Sequence, residues 1–134
     1  MKERTRIAAL IIQNKKLLLV KGSDEYKEFW APGGKLEQGE TELECLKREL
    51  AEELSAKLIN AEFFAEYLGK SPYEKDTLTR SRAYLATISG ELIPGKEIKR
   101  FVWMSKEEYL ERKYEITATT RGKIIPDLIK KGLY

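Results

Sequence analysis

Thr41-Glu42-Leu43-Glu44 is a capping box, in which a threonine hydroxyl and a glutamate three residues on satisfy each other's backbone N–H groups. Leucines then recur at Leu43, Leu46, Leu50 and Leu54, a spacing that lines them along one stripe of a helix. The start, length and buried face of one helix are legible together, and the rest of the chain must offer that stripe an apolar partner. Residues 6–12 and 17–21 are apolar and partly β-branched, and the polar turn between them contains Asn14, which tolerates a left-handed backbone. This predicts a β-hairpin. Residues 61–68, 82–88 and 98–103 read as further strands, separated by the turn signals Ser71-Pro72, Ser89-Gly90 and Pro94-Gly95. A second capping box, Ser105 to Glu108, opens a short helix, and a last helix falls within residues 121–131 with Pro126 kinking it or marking its start. The order of elements predicts an α/β (α+β) single domain over 1–134, a mixed β-sheet sandwiched between helices.

Composition removes much chemistry. The 134 residues contain no histidine and one cysteine, Cys45. Ser-His and Cys-His nucleophiles, His-ligated metals, a multi-Cys zinc site and an internal disulfide framework are all excluded. Cys45 falls off the leucine stripe, and nothing beside it in the sequence points to a reactive thiol. The longest apolar run, residues 7–12, is too short to span a membrane, and although basic residues precede it no small-residue cleavage site follows, so a cytoplasmic chain with no membrane partner is expected.

Charge is unevenly placed. The chain carries +3 overall, but residues 37–53 hold seven glutamates against Lys47 and Arg48, a local −5 within a remainder of +8. On a helical wheel Leu46, Leu50 and Leu54 fall within about 60° of Leu43. Glu49 and Glu53 lie about 40° apart at one border of that stripe, with Glu52 a further 60° or so around. Carboxylates at this spacing repel one another unless a cation intervenes. Mg²⁺ takes a few carboxylates and leaves positions for water and substrate phosphates. Arg48 can brace the strip through Glu44, Glu52 or the loop acid Glu40. Just upstream, Pro32-Gly33-Gly34 lets the backbone turn sharply and come close to a ligand. A glycine loop facing a carboxylate-lined helix is a cup for a metal and a diphosphate.

The stretch from Gly34 to Ala56 resembles the signature of the Nudix (MutT-related) hydrolases: Gly, five residues, Glu, seven residues, then Arg-Glu-aliphatic-x-Glu-Glu-x-Gly-aliphatic. Here these positions are Gly34, Glu40, Arg48, Glu49, Leu50, Glu52 and Glu53, with every spacing kept. Ser55 stands in place of the glycine and Ala56 in place of a larger aliphatic residue, so Ser55 must adopt the turn a glycine would make. The match covers 23 of the 134 residues, and the order of the remaining elements is similar to the family's.

The resemblance implies a Mg²⁺- or Mn²⁺-dependent pyrophosphohydrolase cleaving a nucleoside diphosphate linked to another group, with a (deoxy)nucleoside triphosphate or related nucleotide as first expectation. It implies Glu49, Glu52, Glu53 and the Gly33 carbonyl as metal ligands, and Arg48 with Glu40 as the group that orients them. Glu49 is the first choice of general base, and Glu97, before the late strand, is the second. Gly34, Lys35 and Trp30 are the expected substrate contacts, Lys35 through a phosphate oxygen and Trp30 by stacking on a base. Pro72, sixteen residues beyond Ala56, resembles ADP-ribose-hydrolysing members, and Tyr73 resembles the dinucleoside-polyphosphate hydrolases. A non-catalytic nucleotide-binding module is a further alternative. The scattered Lys96, Lys99, Arg100, Arg121 and Lys123 form no RNA-binding motif, so no specific nucleic acid is expected, and a homodimer stays open.

Overall fold

The first turn of the chain is set by two residues in the left-handed backbone region. Asn14 and Lys15 both have positive φ, 50° and 63°, the two-residue turn whose twist matches that of its flanking strands. It pairs Ile12 with Leu17 and Gln13 with Lys16. The hairpin expected from the sequence is therefore real but short. The computed structural model describes residues 1–134 except Asp24, Pro72 and Lys96. In it the first apolar run is split between β1 (Lys2–Leu10) and β2 (Ile12–Gln13), and only β2 pairs with β3 (Lys16–Lys21). β1 belongs to another sheet.

That sheet has the order β4-β1-β6-β5, from β4 (Gly33–Lys35), β5 (Lys57–Lys70) and β6 (Thr77–Ser89). β1 runs parallel to β6 and antiparallel to β4, so the sheet is mixed. The second sheet, β2-β3-β7, is antiparallel and places β7 (Arg100–Ser105) against β3. Side chains alternate across the strands into two cores. Ala8, Leu10, Leu17, Leu19, Val102 and Met104 join Ile124, Ile125 and Leu128 of the C-terminal helix. Ile7, Ala9, Ile11, Leu18 and Val20 join Leu46, Leu50 and Leu54 of α1 (Glu42–Leu54). Burial on both faces explains why these strands read as unbroken apolar runs. The expected layering of helix, strands and helix is observed, with the strands shared between two sheets.

Tyr67 lies in the first of these cores, while Tyr84, Phe101 and Trp103 are only half-buried against the second. Phe29 is core, bridged to Ile116. Both capping boxes form, at Thr41–Glu44 and at Ser105–Glu108, the latter opening α2 (Lys106–Leu110). The last helix runs on from residue 118 through a π turn at Thr120–Ile124, where Ile125 N–H reaches Thr120 O, and continues as α3 (Ile125–Lys130). Pro126, with no N–H to donate, directly follows the π turn, where the helical pairing is already shifted. Among the described residues no helix is long and apolar enough to cross a membrane.

One expectation about α1 is corrected. Leu43 is 48% exposed, whereas Cys45 and Glu53 are buried with Leu46, Leu50 and Leu54. The helix is rolled so that its buried face turns toward Glu53 and away from Leu43. Its C-terminus is fixed in that roll. Gly95 and Ile93 donate N–H groups to the carbonyls of Glu53 (2.8 Å) and Leu54 (2.9 Å). Ser55, at φ 57° and ψ 24°, closes the helix in the left-handed conformation, and Ala56 N–H returns to Leu50 O. A side chain in that conformation is strained, so Ser55→Gly is expected to stabilise the fold by about 0.5–1 kcal/mol. Urea denaturation should show the midpoint rising with the slope unchanged.

Candidate active site

β4 is short because it is nearly all glycine, and its two glycines have different reasons to be there. Gly33 has φ 144°, and a Cβ would overlap the carbonyl oxygen of Ile7 on the neighbouring strand. At Gly34 a Cβ would overlap the Glu49 carboxylate. The bare backbone thus lets α1 lay its acidic border directly on the strand. Gly33 N–H donates to Glu53 Oε1 at 3.0 Å, a buried contact across twenty residues of chain.

Arg48 organises the acids. Its Nε donates to Glu40 Oε2 at 2.7 Å and its Nη1 to Glu49 Oε1 at 2.6 Å and Glu52 Oε2 at 3.5 Å. Its Nη2 reaches Glu40 Oε1 and the Lys35 carbonyl. The fork therefore ties the loop, the strand and the helix together. The hydrogen bond from Arg48 holds the Glu40 carboxyl down at about 2. Of the braces expected, Glu40 and Glu52 are engaged. Glu44 belongs instead to the capping box through Thr41 N–H. The Cys45 thiol faces the Gly34 and Lys35 carbonyls, and burial raises it to about 12, so it is inert.

Glu53 differs from its neighbours. It is 8% exposed, and desolvation raises its carboxyl to about 7, against the pull of the Arg6 guanidinium and the Gly33 N–H and with the added repulsion of Glu49 and Glu52. Arg6 is half-buried, desolvation lowers its proton affinity, and its Nη2 donates to the Ala31 carbonyl at 2.6 Å. The donors here are all hard oxygens, and the Gly34 cradle that keeps Glu49 free of a neighbouring side chain suits a divalent cation. Even so, no three acidic groups among the described residues converge as a finished cation cage, because Arg48 holds Glu49 and Glu52.

Gly33, Gly34, Glu49 and Glu53 open onto a cavity of about 680 Å³. The half-buried Trp30 lines it and meets Tyr26 edge-on at 6.1 Å between ring centroids, and Tyr73 lies 4.4 Å from Tyr26 and 6.2 Å from Trp30. Lys35 and Glu97 also line it, both exposed. The structure therefore brings Glu49, Glu53, Gly33, Gly34, Lys35, Trp30 and Glu97 to one cavity, while Arg48, Glu52 and Glu40 stand behind it. Pro72 and Lys96 lie outside the described residues. Sequence reasoning missed Arg6, Tyr26, Glu28 and the threonines at 117, 119 and 120, which also line the cavity. The available signal was the pair Arg4 and Arg6, two residues apart at the entry to an apolar strand, which places two cations on one face.

The raised Glu53 has a consequence for stability. Unfolded, it releases its proton near 4.5; folded, it holds it up to about 7. Across that window the folded state carries the extra proton, so this group's contribution to stability falls as pH rises and the loss is complete above about 7. Without divalent ions, Glu53→Gln should therefore be the more stable protein at pH 8, by roughly 2–3 kcal/mol, with the gap closing near pH 4. Thermal melts in EDTA across that range measure it.

The family model for the NUDIX domain matches residues 2–128. Comparison with curated proteins gives no match. Among solved structures, the chain is similar to the E. coli ORF135 protein, with 28% identity and a TM-score of 0.73 over 90% of this chain and 85% of that one. The MutT protein of Methanosarcina mazei Go1 shares the fold at a TM-score of 0.84, covering 99% of this chain and 97% of its own at 17% identity. The MutT NUDIX hydrolase of Burkholderia pseudomallei shares it at 0.70 and 24% identity, over 78% and 84%. The glutamate-lined helix, the glycine strand and the family match over nearly the whole chain agree: this chain belongs to the Nudix family, whose members use divalent metal ions, and is a hydrolase of phosphoric anhydrides acting on nucleoside diphosphate derivatives.

Proposed function

We propose that the chain is a Mg²⁺- or Mn²⁺-dependent pyrophosphohydrolase whose first substrate class is a (deoxy)nucleoside triphosphate or closely related nucleotide. The observation that carries this reading is the apposition of Glu49 and Glu53 to side-chain-free Gly33 and Gly34 at a cavity with an aromatic wall. Glu49, Glu52, Glu53 and the Gly33 carbonyl would hold the ion. When bound, it would neutralise the diphosphate and lower the pKa of water in the site.

The chain's own residues do the rest. Arg48, anchored by Glu40, keeps the Glu49 and Glu52 carboxylates from swinging into solvent. Glu49 takes a proton from the attacking water. The water oxygen bonds to phosphorus as the bridging P–O bond breaks, and the departing phosphoryl oxygen keeps the bonding electron pair. Glu97 on the cavity wall is the second candidate for that proton. Lys35 steadies a phosphate oxygen, and Trp30 offers its face to the base. Tyr73 stands in the same aromatic wall, which keeps a dinucleoside polyphosphate as the alternative substrate.

Glu53→Gln should lower Mg²⁺-dependent turnover at least about a hundredfold, some 2.7 kcal/mol of transition-state stabilisation, with the circular dichroism spectrum unchanged. Wild-type turnover in that variant would overturn the site assignment. A panel of nucleoside triphosphates, ADP-ribose, nucleotide sugars and dinucleoside polyphosphates with Mg²⁺, read by product identity, tests the substrate class. Monophosphate plus pyrophosphate is the expected pair.

A further inference from the structure

A charged group withdrawn from water has to be compensated by an opposite charge or by hydrogen bonds that replace its hydration. Arg6 is half-buried and compensated only in part. Of its five N–H donors, Nη2 is bonded to the Ala31 carbonyl, and no other hydrogen bond from its side chain is found among the described residues. No ion pair joins it to a carboxylate there, although Glu53 and Glu49 both pull on it electrostatically. Its remaining nitrogens are not sealed inside protein. Among the described residues the buried side-chain atoms without a partner are Arg4 Nε and Arg82 Nε, and Arg6 contributes none. Since Arg6 lines the cavity, its unused donors face that space.

Its neighbours differ. Arg4 lines the same cavity but is engaged by Glu74. Lys35 and Lys70 line it as exposed point charges. Arg6 alone among these four combines partial burial, a backbone-carbonyl anchor and unused donors with no carboxylate ion pair among the described residues. A guanidinium fork held by one nitrogen and open on its others matches the non-bridging oxygens of a phosphoryl group.

We propose that Arg6 is the anion anchor of the cavity, binding non-bridging oxygens of the substrate's phosphate chain on the side away from Arg48. This rests on the reading of the site as a nucleotide pyrophosphohydrolase. Glu49, Glu52 and Glu53 would hold an ion at the glutamate edge, and Arg6 supplies the protein's own positive charge to the bound phosphate oxygens. Arg6 binds substrate directly and is not a support for Glu53.

Calorimetric titration in EDTA separates this role from the chemistry, using wild type, Arg6→Gln and Arg6→Lys with three probes: inorganic triphosphate, a nucleoside triphosphate and the corresponding nucleoside. Arg6→Gln should weaken both phosphate-bearing probes at least tenfold and leave the nucleoside unchanged. Arg6→Lys, which keeps the charge and loses the fork, should fall between and carries the test if the glutamine variant does not fold. With Mg²⁺ present, KM should rise more than kcat falls. Equal triphosphate affinity in wild type and variants, or no triphosphate binding by wild type, would overturn the proposal. So would a fall in kcat at constant KM, the mark of a residue that only supports Glu53. Failure of the pyrophosphohydrolase reading shows separately, as a wild type that binds triphosphate through Arg6 and hydrolyses no member of the substrate panel.

Discussion

The hydrogen bond from Gly33 N–H to Glu53 Oε1 joins the two halves of the site. It exists because three constraints coincide. Gly33 adopts a φ that a side chain would make costly, Gly34 leaves room for the Glu49 carboxylate, and α1 is rolled so that Glu53 faces inward. Remove any one and the acidic border of the helix moves off the strand. The roll is maintained at the far end of the helix by Ser55 and by the loop whose Ile93 and Gly95 N–H groups hold the last carbonyls. The turn that ends the helix and the loop at 93–95 therefore help to set which glutamate is buried.

The resulting electrostatics favour ligand capture over stability. Burying Glu53 beside Glu49 and Glu52 works against folding at neutral pH, and Arg6 offsets that only in part, since its own desolvation opposes its charge. Arg48 is the counterweight, held by Glu40 on one side and by Glu49 and Glu52 on the other. The Arg48–Glu40 pair is part-buried and anchored at both ends, unlike the exposed Lys113–Glu108 pair, whose contribution solvent screens. The strained part of the site is the part that faces the cavity, and the braced part lies behind it. That distribution is expected where strain is kept at a binding surface.

Much of this was legible in the sequence because it is local. Both capping boxes formed where a hydroxyl and a glutamate stand three apart, and Asn14 did enter a left-handed turn. Arg48, Glu40 and the glutamates could be placed together because helix spacing alone brings four of them to one side. What failed was nonlocal. The wheel put Leu43 in the core because four leucines share a spacing, but the direction of burial was decided by Gly33 and by the loop at 93–95. β1 was expected to pair with the next strand in the chain, whereas its long partner is β6, some seventy residues on and parallel. Nothing in residues 2–10 encodes that choice beyond an apolar run suited to burial on both faces. Arg6 was passed over for the same reason. In sequence it is one of many basic residues, and the pairing of β1 with β4 places it at the cavity as a half-buried cation with unused donors.

The two cores also separate the glutamate edge from the other walls of the cavity. α1 and its leucines pack on one face of the strands, with β4 at the sheet edge beside β1. The aromatic wall of the cavity comes from elsewhere: Tyr26 and Trp30 from the loop before β4, Tyr73 from the connection between β5 and β6, and the threonines from the segment entering the last helix. None of these belongs to the helix or glycine strand, so their side chains can change without disturbing the Gly33–Glu53 contact or the Arg48 fork. Connections of this kind run over the surface and tolerate variation that packed elements do not. Arg6 stands on the boundary between the two groups, on a core strand yet open to the cavity. Anchored on the Ala31 carbonyl, it opens onto the same cavity as Glu49 and Glu53.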